Sequence, residues 1–153
     1  MKKLLTLFLW LVLSAQALPA RQVPSEQQAA ILAPVNAIFA ALETGDATAL
    51  LRHVYPDGWV TAPGRGADGA VRKQSWAQFA ARMKPETAFE ERIFDPVVHV
   101  DQDVAVVWAR FTVVAGGKLV NCGYDHFDLV REQKAWKVMN LTFSSNMKAC
   151  EAP

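Results

Sequence analysis

The feature that most constrains the fold is a change in the hydrophobic pattern after Pro85. From there to residue 145, apolar and polar side chains alternate, as they do in half-buried β-strands. Turn-like separators of two or three residues divide this region into four predicted strands, 88–100, 103–115, 118–131 and 135–145. Connections this short join antiparallel neighbours, so the second half of the chain is predicted to be an antiparallel meander. Pro96 is expected to place a bulge in the first strand.

Helical spacing precedes the meander. Apolar residues recur at helical intervals at Ile31, Val35, Ile38, Phe39 and Leu42. The segment 25–28 has the spacing of a capping box, Pro34 is expected to kink the helix, and Gly45 is expected to end it.

Further elements are predicted before Pro85. Asp46 can cap a short second helix, and residues 59–62 can form a short strand. Residues 63–74 look like a polar, Gly-rich loop, after which Ser75 and Gln78 form a second capping box and open a third helix. Helices followed by an antiparallel meander indicate an α+β fold, with the helices against one face of a curved sheet.

The first 20 residues have the pattern of a secretory signal peptide. Lys2 and Lys3 precede an apolar run at 4–13, and Ala15-Gln16-Ala17 is a small-x-small cleavage signal. The apolar run is too short to span a bilayer, so no membrane attachment is expected after cleavage. Residues 21–153 are predicted to be a single domain, exported to the periplasm or the medium of a bacterium.

Charge and cysteine content narrow the possible partners. The formal net charge is +1, which gives no strong field for holding nucleic acid. In an oxidising compartment Cys122 and Cys150 are expected to form a disulfide, the alternative being two separate thiols.

The order of elements resembles the NTF2-like superfamily, specifically its SnoaL-like branch. The segments that carry the resemblance are 39–46, 76–79, 103–107, 124–131 and 136–138. Members usually have a glycine before the last tryptophan, where this chain has Ala135. The resemblance implies a conical sheet with helices closing one end over a pocket, and a convex sheet face that often forms a homodimer interface. It leaves the function open, because the superfamily includes isomerases, dehydratases, cyclases, ligand carriers and dimerisation modules.

Two-residue turns at 116–117 and 133–134 predict which strand residues share a face. With these turns, one face of the sheet carries Trp108, Arg110, Asn121, Asp125, Phe127, Val138, Asn140 and Thr142. The opposite face carries Val107, Phe111, Tyr124, His126, Asp128, Met139, Leu141 and Phe143. A one-residue error in register would break this grouping.

The first face mixes aromatic and polar residues, as small-molecule sites do. Arg110 and Asp125 are expected within reach of each other, either orienting a ligand or forming a structural ion pair. The predicted ligand-binding residues are Tyr55, Trp59, Trp76, Trp108, Arg110, Asp125 and Asn140. Asp125 is also the candidate catalytic residue.

Metal and cofactor sites are not expected. His53 and His99 have no partner at metal-ligand spacing, and no Cys/His cluster occurs in the sequence. Residues 64–69 match G-x-G-x-x-G, but the next predicted helix begins too late to hold a phosphate.

Three hypotheses for the function follow from the sequence. The first is an exported domain that binds a small, largely apolar molecule in a conical pocket. The second is a cofactor-free enzyme of the isomerase, dehydratase or cyclase type that uses Asp125. The third is a non-catalytic homodimerisation module.

Overall fold

The computed structural model describes residues 23–65 and 67–150, so the predicted signal segment 1–20 lies outside the described residues. The helices are α1 (Ser25–Thr44), α2 (Ala47–Leu51) and α3 (Trp76–Ala80). The strands are β1 (Trp59–Ala62), β2 (Arg72–Ser75), β3 (Glu90–Asp101), β4 (Val104–Ala115), β5 (Lys118–Glu132) and β6 (Ala135–Phe143). Short 3-10 turns cover Ala67–Gly69, Pro85–Thr87 and Met147–Cys150.

The six strands form one mixed sheet in the order β2-β1-β6-β5-β4-β3. The four long strands form the predicted antiparallel meander, and β1 joins it by pairing parallel to β6. The predicted loop 63–74 was partly wrong, because β2 lies at its end and pairs with β1. The α+β class, with the N-terminal helices packed on one face of the curved sheet, is confirmed.

Helix α1 differs from its prediction at the start and agrees at the end. Its N-cap is Pro24, which makes no side-chain cap, so the predicted capping box at Ser25 was wrong. The helix runs through Pro34 without ending, and Gly45 ends it in the left-handed conformation at φ 69°. A side chain at Gly45 would also collide with the backbone of Lys84. The predicted apolar residues face the sheet, where the rings of Phe39 and Phe127 meet edge-on with centroids 6.0 Å apart.

Both short helices have the predicted caps. The side chain of Asp46 accepts a hydrogen bond from the backbone N–H of Ala49 at 2.9 Å. At α3, Ser75 and Gln78 form both halves of the capping box, at 3.1 and 2.9 Å. The second cap fixes where Trp76 enters the core.

Two bulges in the meander change which residues share a face. Both predicted two-residue turns are present, but Val120 and Met139 are each an extra residue in the ladder. Because one extra residue moves the following side chains to the other face, the predicted register was wrong beyond each bulge. The bulge expected at Pro96 is present between Phe94 and Val97.

The corrected pairing separates Asp125 from its predicted partners. Trp108 lies opposite His126, Arg110 lies opposite Tyr124, and Asp125 lies opposite Ala109. Asp125 is therefore on the face that packs against α1, which we call the inner face. Trp108 and Arg110 are on the exposed outer face.

No helix in 23–65 or 67–150 combines the length and the apolar content needed to cross a membrane.

Candidate ligand-binding cavity

A cavity of about 320 Å³ lies between α1, α3, the β1–β2 hairpin and the inner face of the sheet. Its wall is mainly apolar and includes Ile38, Phe39, Leu42, Val60, Trp76, Phe79, Phe89, Phe111, Val113, Val120, Leu141 and Phe143. Four polar residues complete the lining, Arg65, Arg72, Glu91 and Asn121. An apolar cavity with a few polar groups is the usual form of a small-molecule site.

Trp76 is held in the wall by the bulge in β6. Its indole Nε1 donates a hydrogen bond to the carbonyl oxygen of Met139, the extra residue, at 3.1 Å. Gly58 lies beside the same carbonyl, and a Cβ there would collide with it. The ring of Phe79 packs edge-on against Trp76, with centroids 5.9 Å apart.

Asn121 brings a buried amide to the inner wall. It is 7% exposed, and its Oδ1 accepts a hydrogen bond from Ser145 Oγ at 2.6 Å. Ser145 belongs to the segment after β6, which continues along β5 through backbone bonds from Ser144 to Tyr124 and from Asn146 to Cys122.

The disulfide between Cys122 and Cys150 anchors this C-terminal segment. It joins β5 to the last turn of the described chain, with Cα atoms 5.5 Å apart. Cys122 directly follows Asn121, so the covalent link and the Asn121 amide are neighbours on β5.

The carboxyls of buried Asp125 and half-buried Glu91 lie next to each other on the inner face. Asp125 is fully buried, and apart from the Glu91 carboxyl neither of its carboxylate oxygens has a hydrogen-bond partner among the described residues. Burial raises the pKa of Asp125 well above its usual range, and the neighbouring charge of Glu91 raises it further. Burial also raises the pKa of Glu91 to about 8, and hydrogen bonding with Asp125 opposes part of that rise. A proton on Asp125 that is donated to Glu91 gives the buried carboxyl the partner that it otherwise lacks.

The mouth of the cavity is basic. Arg65 and Arg72 line it, are exposed, and form no salt bridge with any residue in the described ranges. An adjoining hollow of about 250 Å³ shares Arg72 and adds Arg82 and Lys84. An anionic group at the mouth would meet these cations close to the apolar interior.

The structure brings few of the predicted site residues together. Trp76 lines the cavity, and Asp125 is buried on the inner face but is not among the lining residues. The predicted pair of Arg110 and Asp125 does not form, because the bulge at Val120 puts them on opposite faces. Arg110 instead lies over the ring of Phe94.

The other predicted residues lie outside the cavity. The hydroxyl of Tyr55 donates to Glu132 at 3.4 Å, and Trp59 is 41% exposed with Lys73 over its ring. Asn140 accepts from the backbone N–H of Trp59 at 3.0 Å and donates to Asp128 at 3.2 Å. Trp108 stacks on Tyr124 on the outer face, with centroids 5.2 Å apart.

Glu91, Arg65 and Arg72 line the cavity but were not predicted as site residues from the sequence. Glu91 alternates with Phe89 and Ile93 in the predicted first strand, so an acid on the apolar face was a readable signal. Arg72 is the first residue of β2 and Arg65 precedes that strand, so both lie in the predicted loop 63–74, and nothing in their spacing indicates a shared cavity.

Within the described ranges no three His, Cys, Asp or Glu side chains are grouped as a metal site would require.

N-terminal helices packed on a curved mixed sheet, with a cavity between the helices and the sheet, define an NTF2-like fold. The sequence pattern of a family described as "Putative lumazine-binding" matches residues 26–144, most of the chain. The chain therefore belongs to this family, within the NTF2-like superfamily. The SnoaL-like branch stays a prediction.

Solved structures show the same fold at low sequence identity. A protein of unknown function with a cystatin-like fold from Nostoc punctiforme is 12% identical, with a TM-score of 0.66 over 83% of this chain and 96% of that one. An NTF2-like protein of unknown function from Silicibacter pomeroyi is 20% identical, with a TM-score of 0.61 over 82% of this chain and 100% of that one. An NTF2-like protein from Novosphingobium aromaticivorans is 17% identical, with a TM-score of 0.63 over 80% and 83%. No protein with a curated function matches the chain.

Proposed function

We propose that this domain binds a small, largely apolar molecule that carries an anionic group, with the apolar part inside the cavity and the anion at its mouth. The observation that carries the proposal is the cavity of about 320 Å³, apolar in its walls, with Arg65 and Arg72 at the entrance. The family description, which refers to binding of a lumazine, supports a planar small molecule as the ligand class.

A fluorescence titration with anilinonaphthalene sulfonate (ANS) tests this proposal, because ANS is an aromatic anion whose emission rises in apolar surroundings. We expect saturable binding by the folded protein, weakened several-fold in Arg72→Gln and in Arg65→Gln. Arg52→Gln is the matched control, because Arg52 is exposed and lies outside the cavity. Absence of saturable binding, or equal loss in the control, would contradict the proposal.

Proton transfer to a bound molecule is a second candidate, favoured by the adjoining carboxyls of half-buried Glu91 and buried Asp125. Glu91 lines the cavity, so it is the group that would exchange a proton, and Asp125 would act through it as a positioning residue. A test is deuterium uptake by β-tetralone in D2O, followed by NMR. Catalysed exchange that is lost in Glu91→Gln would support this role, and exchange no faster than in buffer would leave binding alone.

We also propose export and homodimerisation. The disulfide is typical of an oxidising compartment, which supports a periplasmic or secreted location. Trp108 and Tyr124 form a stacked pair on the outer face with 48% and 44% exposure, which supports pairing of two copies there. Native mass spectrometry of a periplasmic extract tests both, because one spectrum gives the mature N-terminus and the number of subunits.

A further inference from the structure

We propose that the sheet wall of the cavity recognises a hydrogen-bond acceptor on the ligand, such as a carbonyl oxygen or a neutral ring nitrogen, through donors on Glu91 and Asn121. The inference rests on the proposed ligand-binding function and names the chemistry of the part of the ligand that lies against the sheet. The arginines at the mouth select for charge, whereas these two residues select for an uncharged acceptor.

The two residues are placed as a pair by the sheet. Val113 on β4 lies opposite Glu91 on β3 and opposite Asn121 on β5, so all three occupy one row across the inner face. Two strand spacings separate the outer members of such a row, which is about 10 Å between Cα atoms. Both side chains line the same cavity, so an acceptor lying over Val113 can meet either of them.

Asn121 is a donor because its acceptor is already used. Its Oδ1 accepts from Ser145 Oγ at 2.6 Å, which leaves the NH2 group of the amide for the cavity. The hydrogen bond to Ser145 is the one that the Asn121 side chain forms with the described residues, and Asn121 is only 7% exposed.

Glu91 is a donor because its carboxyl lies beside a second, fully buried carboxyl. Apart from Glu91, Asp125 has no hydrogen-bond partner among the described residues, and none of the salt bridges between described residues includes it. Burial raises the pKa of both groups, and for Glu91 the value is about 8. Below that pH, Glu91 carries a proton that it can donate.

The charged groups of neighbouring elements that line a hollow with Glu91 are Glu43, Arg65 and Arg72. Glu90 and Arg92 flank it on its own strand, and Asp125 adjoins it on the inner face. Glu90 forms an ion pair with Arg92 on the same strand, and Asp125 is the one partner that affects the pKa of Glu91 beyond burial. Burial and the neighbouring Asp125 therefore determine the pH at which Glu91 loses its proton.

The test compares two probes of nearly identical shape, β-naphthoate and quinoline-6-carboxylate, which differ by one ring nitrogen in place of C–H. At about pH 6.5 we expect the quinoline to bind about fivefold more tightly, the size of one net hydrogen bond. At about pH 9.5, where Glu91 has lost its proton, we expect this preference to fall.

Variants separate Glu91 from other causes of the pH effect. Glu91→Gln keeps a donor that does not titrate, so its preference for the quinoline should be the same at both pH values. Glu90→Gln is the matched control and should behave as the natural protein does, because Glu90 pairs with Arg92 outside the cavity. Equal affinity for the two probes at the lower pH, or a preference in the natural protein that does not change with pH, would overturn the inference and leave the proposed function standing. If neither probe binds, the proposed function itself fails.

Discussion

Ser145 and Asn121 are joined by a short hydrogen bond, with 2.6 Å between Ser145 Oγ and Asn121 Oδ1. This bond ties the segment after β6 to a residue that lines the cavity. Two backbone hydrogen bonds and the disulfide at Cys150 hold the same segment against β5. The C-terminal segment thus supports one wall of the cavity without lining it.

Replacing Ser145 by alanine should loosen that wall. Because the nearly buried Asn121 then has no partner for its Oδ1, we expect the free energy of unfolding to fall by about 1 kcal/mol and ANS binding to weaken. Urea unfolding and the ANS titration measure the two effects. Asn146→Ala is the control, because the hydrogen bond of Asn146 to Cys122 uses only its backbone. An unchanged protein after Ser145→Ala would show that the bond does not position Asn121.

Removing the disulfide should destabilise the fold. The bridge spans 28 positions, and closing a loop of that length contributes about 3 kcal/mol, mainly by restricting the unfolded chain. We therefore expect Cys150→Ala to unfold at a clearly lower urea concentration than the oxidised protein. The reduced natural protein should match the variant. If reductant leaves the unfolding midpoint of the natural protein unchanged, the bridge does not contribute to stability.

The stability of the fold should decrease as the pH rises from about 4.5 to about 8. The pKa of Glu91 is raised from 4.5 to about 8, and that of Asp125 is raised from 3.8, so in this range the folded protein binds protons that the unfolded chain has released. The free energy of unfolding then falls with pH, by about 1.4 kcal/mol per unit for each such proton.

A variant isolates this contribution from other titrating groups. Asp125→Asn removes one of the two carboxyls, so the decrease in unfolding free energy between about pH 5 and about pH 8 should be smaller than in the natural protein. Asp128→Asn is the comparison, because Asp128 lies on the outer face and is partly exposed. Parallel pH profiles for the natural protein and Asp125→Asn would contradict the raised pKa.

The exposed aromatic pair should control self-association. Trp108→Ser removes the larger ring of the stack with Tyr124, and because Trp108 is 48% exposed the monomer should still fold. We expect sedimentation to show a dimer for the natural protein and a monomer for the variant. Trp59→Ser, at the other end of the sheet, should leave the mass unchanged. A natural protein that sediments as a monomer would rule out this interface.

The sequence was sufficient for the elements and their order, because periodicity and turn spacing are local signals. The two short turns, the caps at Asp46 and Ser75, and the bulge at Pro96 were all readable. Which residues share a face of the meander could not be predicted, because the bulges at Val120 and Met139 depend on how the sheet curves around the core rather than on local sequence.

The prediction of the site residues depended on which residues share a sheet face, so most residues of the cavity were missed. One extra residue at Val120 moved Trp108 and Arg110 to the outer face and left Asp125 inside, beside Glu91. The predicted pairing of Asp125 with an arginine, which would lower its pKa, is replaced by an acid neighbour that raises it. Trp76 was found because its helix is fixed by a cap that can be read locally.

The most direct test of the central claim is an NMR titration with ANS that follows the tryptophan indole N–H signals. Trp76 lines the cavity, whereas Trp59 and Trp108 lie outside it and serve as controls within the same spectrum. We expect the Trp76 signal to shift and saturate while the signals of Trp59 and Trp108 stay in place. A shift confined to Trp108, with Trp76 unaffected, would place binding on the outer face and contradict the cavity as the site.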